Sequence, residues 1–441
     1  MSQAREPLRC HLLKITSACQ WTELFDCAKR NTERKKTVPM TKRYQTGLVV
    51  LFFFTWGSVF LARMSVVYLA PFIAPDLHLS HAQVGLLASA LALAWAASGL
   101  IFGAVSDRIG RRPVLIPTVF LFSVFSWLSG IAQSFVQLLF MRALMGVAEG
   151  PTWPAMTSMI EASSEPKNRG RNIGIVVSAS ALAGLALAPV LTTQIAARFG
   201  WRTAFFVAGI PGIILGILIW KFVKEPESGE LHHAKPSLSD YLSLLRYRNM
   251  LLCCVGAAGF MTWLFVMHAF APLYITEVSQ RSATTAGFII GAGGLGAFVW
   301  GWVFPWMSDR TGRKSSLLFV ALVSATAPLI YQVPFLIARP WLMAAAGFFA
   351  NAGHSMAPFV LVLIPTESVP SKFAATAIGL ATLVGEIVGG AMAPAMAGAA
   401  ANRYGLAAPL WIACAGAILV LLVTLFMKET APSKTSVQRI A

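Results

Sequence analysis

Uncharged apolar stretches of roughly span length recur along the chain, separated by short clusters rich in Arg, Lys, Asp, Gly and Pro. About twenty apolar residues in a helix cross the hydrocarbon core of a bilayer. Twelve such spans are predicted, near residues 46–70, 82–104, 113–132, 136–160, 172–196, 203–222, 250–275, 287–307, 315–335, 341–363, 376–399 and 407–427. Each is too long and too uniformly apolar for a barrel strand, so each is predicted to be a helix. Interior Gly and Pro do not argue against this, because membrane helices accept them better than soluble ones do. The expectation is an all-α polytopic membrane protein with twelve transmembrane helices in two six-helix bundles.

The longest polar interval, residues 223–249, carries Pro226 and Pro236 and divides six spans from six. The predicted organisation is a tail at 1–43, a bundle at 44–222, a linker at 223–249, a second bundle at 250–428 and a tail at 429–441. Residues 1–39 lack the apolar run and cleavage site of a signal peptide. They read either as a disordered tail or as an over-extended start ahead of Met40.

Composition agrees with this reading. The chain is 56% hydrophobic and 12% charged, against about 25% charged in soluble domains. Its net charge of +17 does not point to nucleic acid, because the charges follow topology. With the N-terminus in the cytoplasm, 28 of the 35 Lys and Arg fall on the inner side, 5 in outer loops and 2 inside spans. That asymmetry is the positive-inside pattern, and it brings basic loops to anionic inner-leaflet lipid. The expected location is the inner (plasma) membrane, with both termini cytoplasmic. None of the six cysteines falls in an outer loop, so no disulfide framework is implied. No residue spacing suggests a metal site or a cofactor.

The two intramembrane cations are Arg63 and Arg142. A guanidinium at the bilayer centre costs at least ~2.5–3.5 kcal/mol, so it is expected to face protein or water and to carry a function. Arg63 lies about 17 residues into an outward-running helix and Arg142 about 6 into an inward-running one, which gives both a similar depth in the outer half. Together they are expected to clamp a carboxylate as a pair of planar forks. Glu149 follows Arg142 by two helical turns on the same face and lies near the midplane. It is the expected proton carrier, the alternative being a fixed brace for Arg142. Glu386, in the eleventh span beside Gly385, Gly389 and Gly390, is a second candidate for protonation or for substrate contact. His268 and His354 are candidate relays, and Trp95, Tyr68, Trp56, Trp153 and Trp263 are candidate cavity walls. Each of these also has an ordinary reading as packing.

A seven-residue pattern recurs at matching places in the two halves. Ser106-Asp107-Arg108-Ile109-Gly110-Arg111-Arg112 follows the second span, and Ser308-Asp309-Arg310-Thr311-Gly312-Arg313-Lys314 follows the eighth. Such a repeat is a mark of duplicated transporter halves. The run GAVSDRIGRRP resembles the signature loop of the major facilitator superfamily. That resemblance covers about residues 44–430 and implies two bundles around a central cavity, working by alternating access. It also implies a gate role for Gly103, Asp107, Arg111, Asp309 and Arg313, with Glu161 joining their charge network. Pro305 stands where the first copy has Gly103.

A narrower resemblance rests on Arg142-x3-Gly146-x2-Glu149-Gly150-x3-Pro154, followed by Pro166-x2-Arg169-Gly170-Arg171. This is similar to the anion:cation symporter family, which carries sugar acids, sialic acid and aromatic carboxylates. That family has an Asp-Arg pair in the first span, where this chain has Ala62-Arg63. The expected function is proton-coupled uptake of a small organic anion by a monomeric carrier that is not an enzyme. The alternative is proton-antiport export of an acidic metabolite or an amphipathic drug.

Overall fold

A peptide group in lipid has no water to bond, so each apolar run satisfies its backbone internally as a helix. The computed structural model describes residues 42–165, 168–225, 243–370, 373–431 and 434. The predicted tail at 1–39 and most of the linker fall outside these. The membrane helices are α1 (Lys42–Tyr68), α2 (His81–Ile109), α3 (Arg111–Gly130), α4 (Phe135–Glu149 and Thr152–Ser163), α5 (Arg169–Phe199) and α6 (Trp201–Phe222). The second half repeats them as α7 (Arg248–Val278), α8 (Ala283–Thr311), α9 (Arg313–Ile330), α10 (Pro340–Ser368), α11 (Thr376–Tyr404) and α12 (Ala407–Phe426).

Eleven of these are long and apolar enough to cross a membrane unbroken. The twelfth, α4, is interrupted at Gly150-Pro151. Both residues keep right-handed helical dihedrals. Pro151 has no N–H to give to the preceding turn, so the helix loses a bond there rather than its direction. The two six-helix bundles are therefore present with all the expected spans.

The repeat runs deeper than the loop motif. α2 and α8 both start on a serine, Ser80 or Ser282, whose hydroxyl accepts from the backbone N–H of Gln83 or Thr285 and so satisfies one of the unpaired first-turn donors. Two pairs of glycines have positive φ, Gly110 (100°) with Gly312 (104°) and Gly200 with Gly405, both 82°. Most of the seven-residue motif is helical. Its first four residues close α2 and α8, its last two open α3 and α9, and a single left-handed glycine makes each turn. A β-carbon is disfavoured at that φ. At Gly312 a β-carbon would also stand 2.5 Å from Glu429 Oε2.

Between the bundles, close packing is concentrated on the face opposite these motifs. α2 meets α11 where a β-carbon on Gly85 would come 2.2 Å from the Pro394 carbonyl oxygen, and one on Gly398 would come 2.6 Å from that of His81. α5 meets α8 through Gly287, Gly291 and Gly294, against Thr193, Ala186 and Leu185. Small residues let backbones touch, which is how helices hold together without a hydrophobic drive between them. His81 Nε2 and Glu277 Oε2 meet across the same seam at 3.1 Å. This arrangement shuts one end of the interface between the bundles.

Candidate functional site

Arg63 is about four-fifths of the way along the 27-residue α1 and 4% exposed. Its Nη2 donates to Glu386 Oε2 at 3.1 Å, and Glu386 is equally buried. The pair joins α1 of the first bundle to α11 of the second. Three aromatic rings surround the guanidinium, with centroids 5.7 Å (Phe60), 5.4 Å (Trp95) and 4.9 Å (Phe265) from its central carbon. Cation–π contacts of this kind contribute about 2 kcal/mol when desolvated, so the rings help to hold the cation in an apolar interior. At Glu386 the α-helical ladder of α11 changes to a π turn, Glu386–Met392.

Arg142 sits beside Arg63 but does not point its fork into open space. Its Nη2 donates to the Arg63 carbonyl oxygen at 2.6 Å and its Nη1 to that of Ala62 at 3.4 Å. Arg142 thus differs from Arg63 in its contacts: both terminal nitrogens reach the backbone that carries Arg63, and Nη1 also reaches Met145 Sδ at 3.2 Å. The reason lies in helix geometry. Arg142 has no acid beside it on α1, since that position is Ala62, and the α1 carbonyls are the acceptors within reach.

Glu149 is fully buried and neither carboxylate oxygen has a hydrogen-bond partner among the described residues. A fixed Arg142–Glu149 brace is therefore absent. The charges of Arg63, Arg142 and Glu386 act on it. The motif glycines explain how it comes to lie there. A β-carbon on Gly146 would stand 2.3 Å from the Leu91 carbonyl oxygen, and one on Gly150 would stand 2.0 Å from Ser98 Oγ. Both glycines thus let α4 press against α2, and Ser98 Oγ donates to the Gly146 carbonyl oxygen across that contact.

His268 is buried, with Nδ1 2.8 Å from the Leu264 carbonyl oxygen of its own helix and its ring 6.3 Å from that of Tyr68. Among the described residues, the Tyr68 hydroxyl, Trp95 Nε1 and His354 Nδ1 are buried without a hydrogen-bond partner. The Trp56 and Trp153 rings lie 4.7 Å apart, tilted by 35°, whereas Trp263 donates to the Ser324 carbonyl oxygen within the second bundle and is a packing anchor. Arg63, Glu386, Trp95, Arg142 and Glu149 thus form one group; Tyr68 and His268 form another contact and not part of the ion pair. Among the described residues no three His, Cys, Asp or Glu side chains converge as metal ligands would.

At the motif-bearing face, Arg313 Nη1 pairs with Asp309 at 2.7 Å and its Nη2 with Glu367 at 3.0 Å. Thr430 Oγ1 donates to the same Glu367 at 2.6 Å. Asp309, Arg313 and Glu367 belong to the second bundle and Thr430 to the segment just after it, so these described contacts lie on one side of the interface. In the first bundle, Gly103 and the side chain of Asp107 lie outside the described parts of α2. Glu161, at the α4 end, takes no part in an equivalent cluster among the described residues. Arg111 instead opens α3 under a carboxylate that sequence reasoning missed. The backbone N–H groups of Arg111 and Arg112 donate to Glu225 at 2.8 and 2.6 Å. Those of Arg313 and Lys314 donate to Glu429 at 2.8 and 3.2 Å. An acid at a helix N-terminus satisfies free N–H groups and the helix dipole together. The available signal was a Lys-Glu pair shortly beyond both the sixth and the twelfth span, Lys224-Glu225 and Lys428-Glu429.

Residues 51–394 match the family model described as Major Facilitator Superfamily. A relative from Bacillus subtilis (strain 168), the "Hexuronate transporter", is 30% identical over 63% of this chain and 69% of its own length. A second, from Cupriavidus pinatubonensis, the "Probable 4-methylmuconolactone transporter", is 29% identical over 73% of this chain and 76% of its own. Among solved structures, a bacterial homolog of the human lysosomal transporter Spinster superposes with a TM-score of 0.69 at 19% identity. That match covers 88% of this chain and 97% of the other.

Proposed function

The chain belongs to the Major Facilitator Superfamily, and we propose that it carries a small organic carboxylate inward together with protons, by alternating access. It is a multi-pass membrane transporter and not an enzyme. The observation that carries the proposal is Arg63: a buried guanidinium at the seam between bundles, ringed by aromatic side chains, on a backbone that Arg142 holds in place. A planar fork so placed suits a carboxylate. The relatives named as hexuronate and 4-methylmuconolactone transporters support the substrate class. The wall of Phe60, Trp95 and Phe265 suits an acid with an apolar or unsaturated body.

Glu149 is the proton carrier in this reading. With neither oxygen bonded among the described residues, it has no fixed partner, and an anion arriving at Arg63 alters the field it feels. A co-transported proton offsets the work of moving an anion into an inside-negative compartment, ~2.3 kcal/mol per charge per 100 mV. The protein works as a monomer in the inner membrane, with both termini and the Gly110 and Gly312 turns in the cytoplasm. The basic clusters of those turns favour that side.

The test is uptake of labelled benzoate, cis,cis-muconate and D-galacturonate into proteoliposomes, with and without an imposed pH gradient. Wild type should accumulate at least one of them only when the gradient is imposed. Glu149→Gln should exchange that substrate across the membrane but not accumulate it. Accumulation driven by pH in Glu149→Gln would remove the proton role from Glu149.

A further inference from the structure

Glu386 is the one carboxylate bonded to Arg63 among the described residues, and it reaches Arg63 from the opposite bundle. We propose that Glu386 is a tethered competitor: in the empty carrier it occupies the carboxylate position on Arg63, and the substrate's carboxylate must displace it. The inference rests on the reading of Arg63 as the anion site.

Three observations carry it. The contact is monodentate, one N–H of Arg63 to one oxygen of Glu386 at 3.1 Å. A free carboxylate that engages two parallel N–H groups makes the stronger pairing and so can replace a single bond. Next, α11 leaves room for the acid. A β-carbon on Gly390 would stand 2.7 Å from Glu386 Oε2, so glycine one turn further on is what allows the carboxylate to lie across its own helix towards α1 and α2. Finally, no acid on α1 precedes Arg63, because that residue is Ala62, and neither oxygen of Glu149 is bonded to it. Charge balance at a buried guanidinium requires a partner, and Glu386 supplies it from 323 residues away.

The consequence is mechanical as well as electrostatic. While Glu386 holds Arg63, α1 and α11 are tied across the seam that must open during alternating access. A bound carboxylate neutralises Arg63 in place of Glu386 and frees the two bundles to part. Glu386 thereby weakens substrate binding and makes the release of the tie depend on substrate.

Phenylglyoxal, which modifies accessible arginine, tests this without knowledge of the natural substrate. Purified wild type and Glu386→Gln are labelled, and modification of the Arg63 peptide is followed by mass spectrometry. The expected result is several-fold faster labelling of Arg63 in Glu386→Gln. Benzoate, cis,cis-muconate or D-galacturonate should then protect Arg63 at a concentration about tenfold lower in the variant than in wild type, the factor that one competing bond of about 1.4 kcal/mol represents. Gly390→Ala, which sets a methyl group against Oε2, should act in the same direction and stands in for Glu386→Gln if that variant does not fold. Equal labelling in wild type and both variants overturns the proposal. So does faster labelling with unchanged or weaker protection, which makes Glu386 a substrate ligand or a bystander. Faster labelling with no protection by any of the three acids, in any variant, overturns the competition through its premise: the ion pair stands and the anion reading of Arg63 falls.

Discussion

Replacing Arg142 by lysine separates a positive field from a positioned fork. Arg142 is 1% exposed and divides its terminal nitrogens between two successive α1 carbonyls, those of Ala62 and Arg63. Lysine keeps the charge but has a single nitrogen on a flexible stem, so it can hold one of these acceptors and not both in the same plane. A hydrogen bond from a charged donor contributes about 1.5–3 kcal/mol. Losing the weaker of the two, at 3.4 Å, and relaxing the other places the cost near the lower end of that range. Uptake efficiency (kcat/KM) in proteoliposomes should therefore fall about tenfold, at 1.36 kcal/mol per decade. The protein should still reach the membrane, because the buried charge keeps an acceptor. Arg142→Gln should fall further, since it loses the charge as well. An Arg142→Lys variant within twofold of wild type would mean that Arg142 acts only through its field, and the positioning role derived from the two carbonyl contacts would be wrong.

Gly110→Ala and Gly312→Ala should each destabilise the protein by about 1–2 kcal/mol, because a β-carbon is forced into the left-handed region; the Gly312 variant should melt lower, since its methyl group would stand 2.5 Å from Glu429, against 3.1 Å from Glu225 at Gly110. Equal melting of both variants and wild type in detergent would refute the backbone account of the repeated turn. Glu429 gives a pH test. Burial raises its pKa, but N–H bonds from Ala431, Arg313, Lys314 and Thr430 outweigh that and hold it below the ordinary 4.5. The stabilisation is then fully present above pH 4.5 and is lost as the pH falls through the lower folded value. The wild-type advantage in melting temperature over Glu429→Gln should be constant near neutrality and shrink below pH 4.5; a gap independent of pH would remove the charge from the explanation.

The number of spans, their helical state and the duplicated halves were legible in the sequence because each depends on one segment at a time. A twenty-residue apolar run in lipid has one way to satisfy its backbone, and Ser106–Arg112 and Ser308–Lys314 announce the repeat by themselves. The common level of Arg63 and Arg142 followed in the same way, from a rise of 1.5 Å per residue, and the two residues do meet. What the helical period does not state is which face of one helix meets which other helix. Lipid tails are as apolar as leucine, so no hydrophobic drive selects those faces; small residues and shape do. The pairing of Arg63 with Glu386, the turn of Arg142 towards the α1 carbonyls and the isolation of both Glu149 oxygens all arise from such choices. They depend on Gly146 and Gly150 bringing α4 onto α2, and on Gly85 and Gly398 bringing α11 against the same helix. The residue types and their positions along each helix were thus fixed locally. Which acid answers which arginine was decided only when twelve helices packed at once, because an intramembrane charge takes the partner that the surrounding shape puts within reach.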